Sequence, residues 1–225
     1  MRGKIVVIEG TDCSGKETQS KKIIENLKEY NFKYFCFPNY DSPTGKIIGG
    51  PYLGKEQISS GWFKEGATNV DFEVASLYYA ADRKYNMDKI NKELEKGHNV
   101  ILDRYVYSNM AHQGGKVDNK EKRLETYRWI EQLEFNLLAL PQPDIKIFLH
   151  VPYEVSLNIR KNRTEKFDQH ESSKEHLISA EKAYLELVDL YDFKTFECSK
   201  NGEMLSVDEI NNELCEYIKS KLKPE

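Results

Sequence analysis

Apolar residues fall into five short runs along the chain, and between the runs they recur at helical spacing. Lys4-Ile5-Val6-Val7-Ile8-Glu9 reads as a buried strand. Ile23, Ile24 and Leu27 follow with Lys and Glu between them, the pattern of an amphipathic helix. Tyr34 to Pro38 reads as a second strand, edged by Pro38. Gly and Pro crowd residues 43 to 66, a loop-rich, partly helical insertion. Val70 to Glu95 reads as one long helix, with Val74, Leu77, Tyr78 and Ala81 at helical spacing and Gly97 as the stop. Val100-Ile101-Leu102 is a short strand ending at Asp103. Leu124, Tyr127, Ile130, Leu133, Leu137 and Leu138 mark another helix, closed by Pro141 and Pro143. The near-continuous run from Ile145 to Val151 belongs inside a parallel sheet. Helices are expected over Val155 to Arg163, Ala180 to Tyr191 and Val207 to Leu222, with a last strand at Phe193 to Cys198. The alternation predicts an α/β fold: a five-stranded parallel sheet with helices on both faces, one domain spanning residues 1–225, and ligands at the strand C-termini.

The first strand runs into Gly10-Thr11-Asp12-Cys13-Ser14-Gly15-Lys16-Glu17-Thr18. This is the G-x-x-x-x-G-K phosphate loop in its confirming context of strand, glycine loop and helix, and it assigns the P-loop NTPase fold. The glycines let backbone N–H groups turn inward onto phosphate oxygens, and Lys16 and the helix dipole add positive charge. Residues 10 to 18 are therefore the ATP-binding candidates. Glu17 stands where Ser or Thr ordinarily meets Mg²⁺. Either it is a first-turn acid favoured by the helix dipole, or the metal is held differently. Gly15-Lys16-Glu17-Thr18 fits the G-K-G-T variant of adenylate-kinase-like enzymes, which points to small-molecule phosphotransfer.

Composition narrows the partners. Among 225 residues, Lys and Arg number 33 against 37 Asp and Glu, well mixed, for a net charge of −4. That balance argues against a nucleic-acid surface. Cys13, Cys36, Cys198 and Cys215 have no C-x-x-C spacing, so neither a zinc site nor a disulfide framework is indicated. No segment approaches membrane-spanning length, and the default is a cytoplasmic protein with reduced thiols.

Asp103-Arg104-Tyr105 follows the third strand, and the polar segment Ser108 to Gly115 follows that. A strand-end Asp can meet Mg²⁺ or cap the next helix, and an Arg can clamp phosphate. Taken together, the landmarks resemble the thymidylate kinase family. The phosphate loop there reads roughly E-G-x-D-G-x-G-K-x-T, against Glu9 to Thr18 here. A-x-x-R is matched by Ala80 to Arg83, and D-R-[YFH]-x-x-S-x-x-A-[YF]-Q-G by Asp103 to Gly114 with His112 as the one change. P-x-P-D is matched by Pro141 to Asp144, and an Arg-rich lid follows the next strand, here about residues 160 to 175.

The resemblance implies ATP-dependent phosphorylation of a deoxynucleoside monophosphate, usually thymidine monophosphate, with Mg²⁺ and on a homodimeric fold. It implies that Tyr79 stacks on the base, Arg83 bonds a thymine carbonyl, and Ser108, Asn109 and Gln113 lie at the base edge. Arg104 would hold the acceptor phosphate and His112 would lie beside the sugar. Asp12 would sit between substrate and metal, with Asp103 as a second Mg²⁺ candidate. No residue between Gly10 and Lys16 is basic, so charge on the moving phosphate falls to Arg160 and Arg163 of the lid beside Lys16 and Arg104. An aromatic such as Tyr79 is, on periodicity alone, as well read as core.

The departures from the family are Glu17, the lack of an Arg in Phe37 to Asp41, and His150 where the family commonly has Asp. The missing Arg shifts acceptor binding to Arg104 and Lys46. Two alternatives stand beside the main reading. One is a kinase for another deoxynucleoside monophosphate or for a nucleoside. The other is a nucleotide-binding switch, which Asn91 to Leu94 and Asn119 to Lys122 disfavour, since both lack the final Asp of N-K-x-D.

Overall fold

The computed structural model describes residues 2–161 and 168–222, the side chains of 160 and 161 excepted. Five strands make one parallel sheet: β1 (Ile5–Gly10), β2 (Phe32–Cys36), β3 (Asn99–Asp103), β4 (Ile145–His150) and β5 (Lys194–Glu197), in the order β2-β3-β1-β4-β5. A two-stranded antiparallel ribbon, β6 (Ser199–Lys200) and β7 (Glu203–Met204), follows β5 and has no counterpart in the apolar pattern. The helices are α1 (Lys16–Asn26), α2 (Pro43–Ile47), α3 (Phe72–Glu95), α4 (Val106–Gly114), α5 (Lys120–Glu131), α6 (Tyr153–Lys161), α7 (Lys174–Tyr191) and α8 (Val207–Leu222).

Side chains alternate across a strand, so β1 feeds two cores. Ile5 and Val7 join Val100, Leu102 and Phe148 under α3, α4, α5 and α7. Val6 and Ile8 join Ile101, Ile147 and Leu149 under α1 and α8. Both faces of the sheet are thus covered, as a central parallel strand requires. A third cluster, Ile48, Tyr52, Leu53, Ala67 and Val70, gives the 43–66 insertion its own small core against the start of α3.

Two expectations change. The segment after Asp103 is α4, a buried helix rather than an open polar stretch. On α3 the stripe Val74, Leu77 and Ala81 faces outward, and the buried face is Ala75, Ser76, Ala80, Asp82, Arg83, Asn86 and Met87. Asp71 caps α3 through the N–H groups of Glu73 and Val74, which sets the helix start two residues later than its apolar pattern suggests. Among the described residues no helix is long and apolar enough to cross a membrane.

Candidate active site

The phosphate loop leaves the C-terminal end of β1, the central strand. Gly10 lies so close to the β4 backbone that a Cβ there would meet the Leu149 carbonyl oxygen at 2.7 Å. Gly15 adopts φ +75° and leads into α1 with no side-chain cap, so the first-turn amides of α1 stay available to an anion. Lys16 folds back, and its Nζ donates to the carbonyl oxygens of Gly10 (3.1 Å) and Thr11 (2.9 Å) and to Ser14 Oγ (3.3 Å). Burial, and after it Arg104, pull the ammonium down to about 8 against the opposing charges of Asp103, Asp12 and Glu9.

Opposite the loop, a buried acid organises the start of α4. Glu9 Oε1 accepts the N–H of Tyr105 (2.7 Å) and of Ser108 (3.1 Å), which satisfies donors at the start of α4. Its Oε2 accepts the hydroxyls of Ser108 (2.5 Å) and Tyr184 (3.2 Å). Burial lifts the Glu9 carboxyl above its ordinary range, against those donors and the charge of Arg104. Held at this corner, Arg104 takes φ +65°, a conformation costing a non-glycine residue about 1–3 kcal/mol. The kink turns its guanidinium back over the loop, where Nη2 meets Asp12 Oδ1 at 2.7 Å and Nη1 donates to Tyr184 Oη at 3.2 Å. Burial pushes the Asp12 carboxyl upward, but Arg104 and Lys16 outweigh it and hold it well below the usual carboxylate range.

A cavity of about 610 Å³ joins the two halves. Lys16, Thr18 and Asp103 line one end; Tyr79, Arg83, Ser108, Asn109 and His112 line the other, with Asp12 and Arg104 between them. Tyr79 lies on the cavity wall, its ring edge-on to Tyr52 at 5.8 Å, and also packs against the third cluster. Arg83 is 2% exposed and held by Glu134 through Nε (2.5 Å) and Nη2 (2.6 Å). Asn109 Nδ2 donates to the same Glu134 at 2.9 Å, and Asn109 Oδ1 is buried without a partner among the described residues. Gln113 does not reach the cavity wall: it is fully buried, and neither amide atom is hydrogen-bonded among the described residues.

Other expected residues land differently. Glu17 turns to solvent and pairs with Lys21 at 2.5 Å, the helix-surface arrangement. Lys46 is exposed and away from the cavity. Beside Lys16, the lysine on the wall is Lys55, with Nζ 2.9 Å from Asp168. His150 ends β4 between Glu181 and Glu197. The side chain of Arg160 and all of Arg163 lie outside the described residues. Glu134, Tyr184 and Lys55 carry no local pattern that marks them in the sequence. Asp12 and Asp103 offer carboxylate oxygens beside Lys16, a donor type suited to Mg²⁺.

A phosphate loop at the head of a parallel sheet, opening on a cavity that Arg104 and Lys16 line, defines a P-loop nucleotide phosphotransferase. The family model for thymidylate kinase matches residues 8–210. A probable thymidylate kinase from Methanocaldococcus jannaschii is 33% identical, over 96% of this chain and 95% of its own. The thymidylate kinase of Plasmodium falciparum is 32% identical over 77% of this chain and 73% of its own. Among solved structures, the thymidylate kinase of Candida albicans superposes with a TM-score of 0.71 at 25% identity, covering 97% of this chain and 92% of that one. The chain belongs to the thymidylate kinase family. It is a nucleoside monophosphate kinase that phosphorylates thymidine monophosphate with ATP as phosphate donor.

Proposed function

We propose that the two substrates meet end to end in the cavity, with ATP phosphates on residues 10 to 18 and thymidine monophosphate between Arg104 and the Tyr79–Arg83–Asn109 wall. The carrying observation is Asn109. Its Nδ2 is committed to Glu134, and its Oδ1, buried and without a partner among the described residues, is the acceptor left for a base on this wall. Thymine offers a ring N3–H donor there, and cytosine offers a lone pair that would leave Oδ1 unmatched. Arg83, fixed by Glu134, presents its edge to a thymine carbonyl, and Tyr79 stacks on the ring. His112 lies beside the sugar, and Ser108 steadies Arg104. Gln113 acts from behind the wall, as a positioning residue for α4.

Transfer is positioning plus charge neutralisation, because the phosphoryl group moves through a loose transition state. Lys16 follows the migrating charge from the loop, and Arg104 holds the acceptor phosphate in line. Asp12 and Asp103 would hold Mg²⁺ or its waters, and the ion would neutralise charge on the ATP phosphates. Arg160 and Arg163, the basic residues the loop lacks, supply the remaining charge. Residues 1–225 act as one kinase domain with a lid at about 160–175. The exposed stripe on α3, with Val74, Leu77 and Tyr85 at 40%, 52% and 54% exposure, is the surface for a second copy in a homodimer. Four cysteines that form no disulfide fit a reducing, cytoplasmic setting.

A coupled ADP-release assay with ATP, Mg²⁺ and a panel of nucleoside monophosphates tests this reading. The expected order places thymidine monophosphate first and deoxycytidine monophosphate far behind. The panel should be wide, since the Candida albicans enzyme is described as having broad substrate specificity. Turnover that ignores every acceptor would leave only a nucleotide-binding switch.

A further inference from the structure

Three imidazoles from separate parts of the chain meet beside the acceptor end of the cavity. His112 comes from α4, His170 from the turn before α7, and His176 from the first turn of α7. One ring nitrogen from each lies within 4.8 Å of the other two. His112 Nδ1 and His176 Nε2 are 3.0 Å apart, and the His170 and His176 ring centroids are 4.3 Å apart. The backbone around them is tied down. Ser173 Oγ accepts the His176 N–H at 3.2 Å, and Asp168 Oδ1 accepts the N–H of His170 at 3.0 Å. Among the described residues, the hydrogen-bond partners of the three rings are Tyr52, Arg104, the Ala67 backbone and one another, never a carboxylate. The cluster is therefore neither an ion pair nor a His–acid relay. What it offers is three nitrogen lone pairs in one place.

We propose that His112, His170 and His176 form a binding site for a d-block dication of the zinc class, with three imidazole ligands and a fourth position open to the cavity. His112 and His170 both line that cavity, so a water molecule can complete the shell from its side. Zn–N bonds of about 2.0–2.1 Å place tetrahedral ligand nitrogens about 3.4 Å apart. The closest pair is already inside that separation, and modest ring rotations draw in the third. The surrounding charge selects the class of ion. Arg104, Lys55 and Lys116 face the region against Asp12 and Asp168, which are themselves paired to Arg104 and Lys55. A site without net negative charge or carboxylate ligands does not hold Mg²⁺ or Ca²⁺, whereas imidazole suits zinc, cobalt, nickel and copper. The proton balance closes as well. With no metal, His112 Nδ1–H donates to His176 Nε2 while Arg104 Nη1 lies 3.5 Å from His112 Nε2. Metal at Nδ1 moves that proton to Nε2 and loosens the long Arg104 contact. The site does not depend on the identity of the acceptor nucleotide.

The test uses the untagged full chain, stripped of metal by a chelator. One equivalent of CoCl₂ is expected to give the intense visible bands of a tetrahedral nitrogen-ligated ion, quenched by ZnCl₂ and untouched by excess MgCl₂. His176→Gln and His170→Gln should each weaken cobalt binding about 100-fold or more, given that even outer partners of a metal ligand are worth 10–100-fold. His98→Ala, remote from the cluster, should leave it unchanged. Far-UV circular dichroism and Tm establish that each variant is folded; if one is not, the other carries the result. Absence of the bands at one equivalent overturns the proposal. So does binding that persists in a folded His→Gln variant, or that magnesium displaces.

Discussion

Arg104 reaches back from the end of β3 to close a 2.7 Å ion pair with Asp12 of the phosphate loop. The pair joins the phosphate loop to the end of β3. It also spends Arg104's strained backbone on an orientation that faces the cavity. Arg104→Ala should therefore lower kcat/KM for thymidine monophosphate by about 100-fold or more, the usual loss for one preorganised charge donor. The KM for ATP should move far less. Arg104→Lys should recover little, since a single ammonium cannot meet Asp12, Tyr184 and a phosphate at once. Steady-state kinetics against each substrate separately decide it; an unchanged acceptor kcat/KM would make the pair a structural tie only.

Arg83 and Glu134 are 2% and 0% exposed, and each depends on the other. Glu134→Gln leaves a buried guanidinium without its counter-charge, at a cost of about 3–5 kcal/mol. Asn109 loses its anchor in the same step. Urea unfolding should show the lost stability, and discrimination of thymidine over deoxycytidine monophosphate should narrow in whatever remains folded. The double variant Arg83→Met with Glu134→Leu should regain stability without regaining activity.

These two pairs show how far the chain could be read. The strand–helix rhythm and the phosphate loop are local patterns and legible, whereas Tyr79, Arg83 and Asn109, which line the cavity, stand out only through the family resemblance. Helix α8 was read residue for residue. Glu134 was not legible, because it is 51 residues from Arg83 and lies in a π-turn, Gln132–Leu137, that breaks the 3.6-residue spacing. Helix α4 looked polar because its Ser108 hydroxyl is matched by Glu9, 99 residues away, and its Asn109 amide by Glu134. The exposed stripe of α3 looked like core because apolar spacing marks a face without saying what covers it. Lys46 seemed the replacement cation because it stands near strand two, yet the insertion folds Lys55 onto the wall instead.

Lys16 is pulled down to about 8 by burial, so its charge is lost within the range of ordinary assays. The kcat/KM for ATP, which reports the free enzyme, should fall as pH rises through about 8, with the protonated form active. Lys16→Ala should remove most turnover and the alkaline limb together. A flat profile through that region in the parent enzyme would mean that the ammonium is not needed in the free state.

Glu17 pairs outward with Lys21 and both are well exposed. Replacing it with the consensus residue, Glu17→Thr, should leave kcat close to the parent value. A collapse of kcat with unchanged ATP affinity would show that the carboxylate turns inward during turnover.

His150 ties three elements at the edge of the site. Its Nδ1 lies 2.8 Å from Glu197 of β5 and its Nε2 lies 3.0 Å from Glu181 of α7. Glu181 in turn accepts the Tyr153 N–H at the start of α6, at 3.0 Å. The hydrogen bond to Glu181, against burial and with help from Glu197, raises the imidazole above its ordinary range. For a histidine raised in the folded state, the stabilisation is complete below the unfolded value of about 6.5. It is lost as pH rises through the folded value, where the proton leaves. His150→Gln should therefore be less stable than the parent in mildly acidic buffer, and the two should converge in alkaline buffer. Urea midpoints measured across that range are the check, with the slope of each transition compared to confirm that the native state is unchanged. A gap between parent and variant that stays constant with pH would mean that the ring is held neutral and that packing, not charge, fixes the corner.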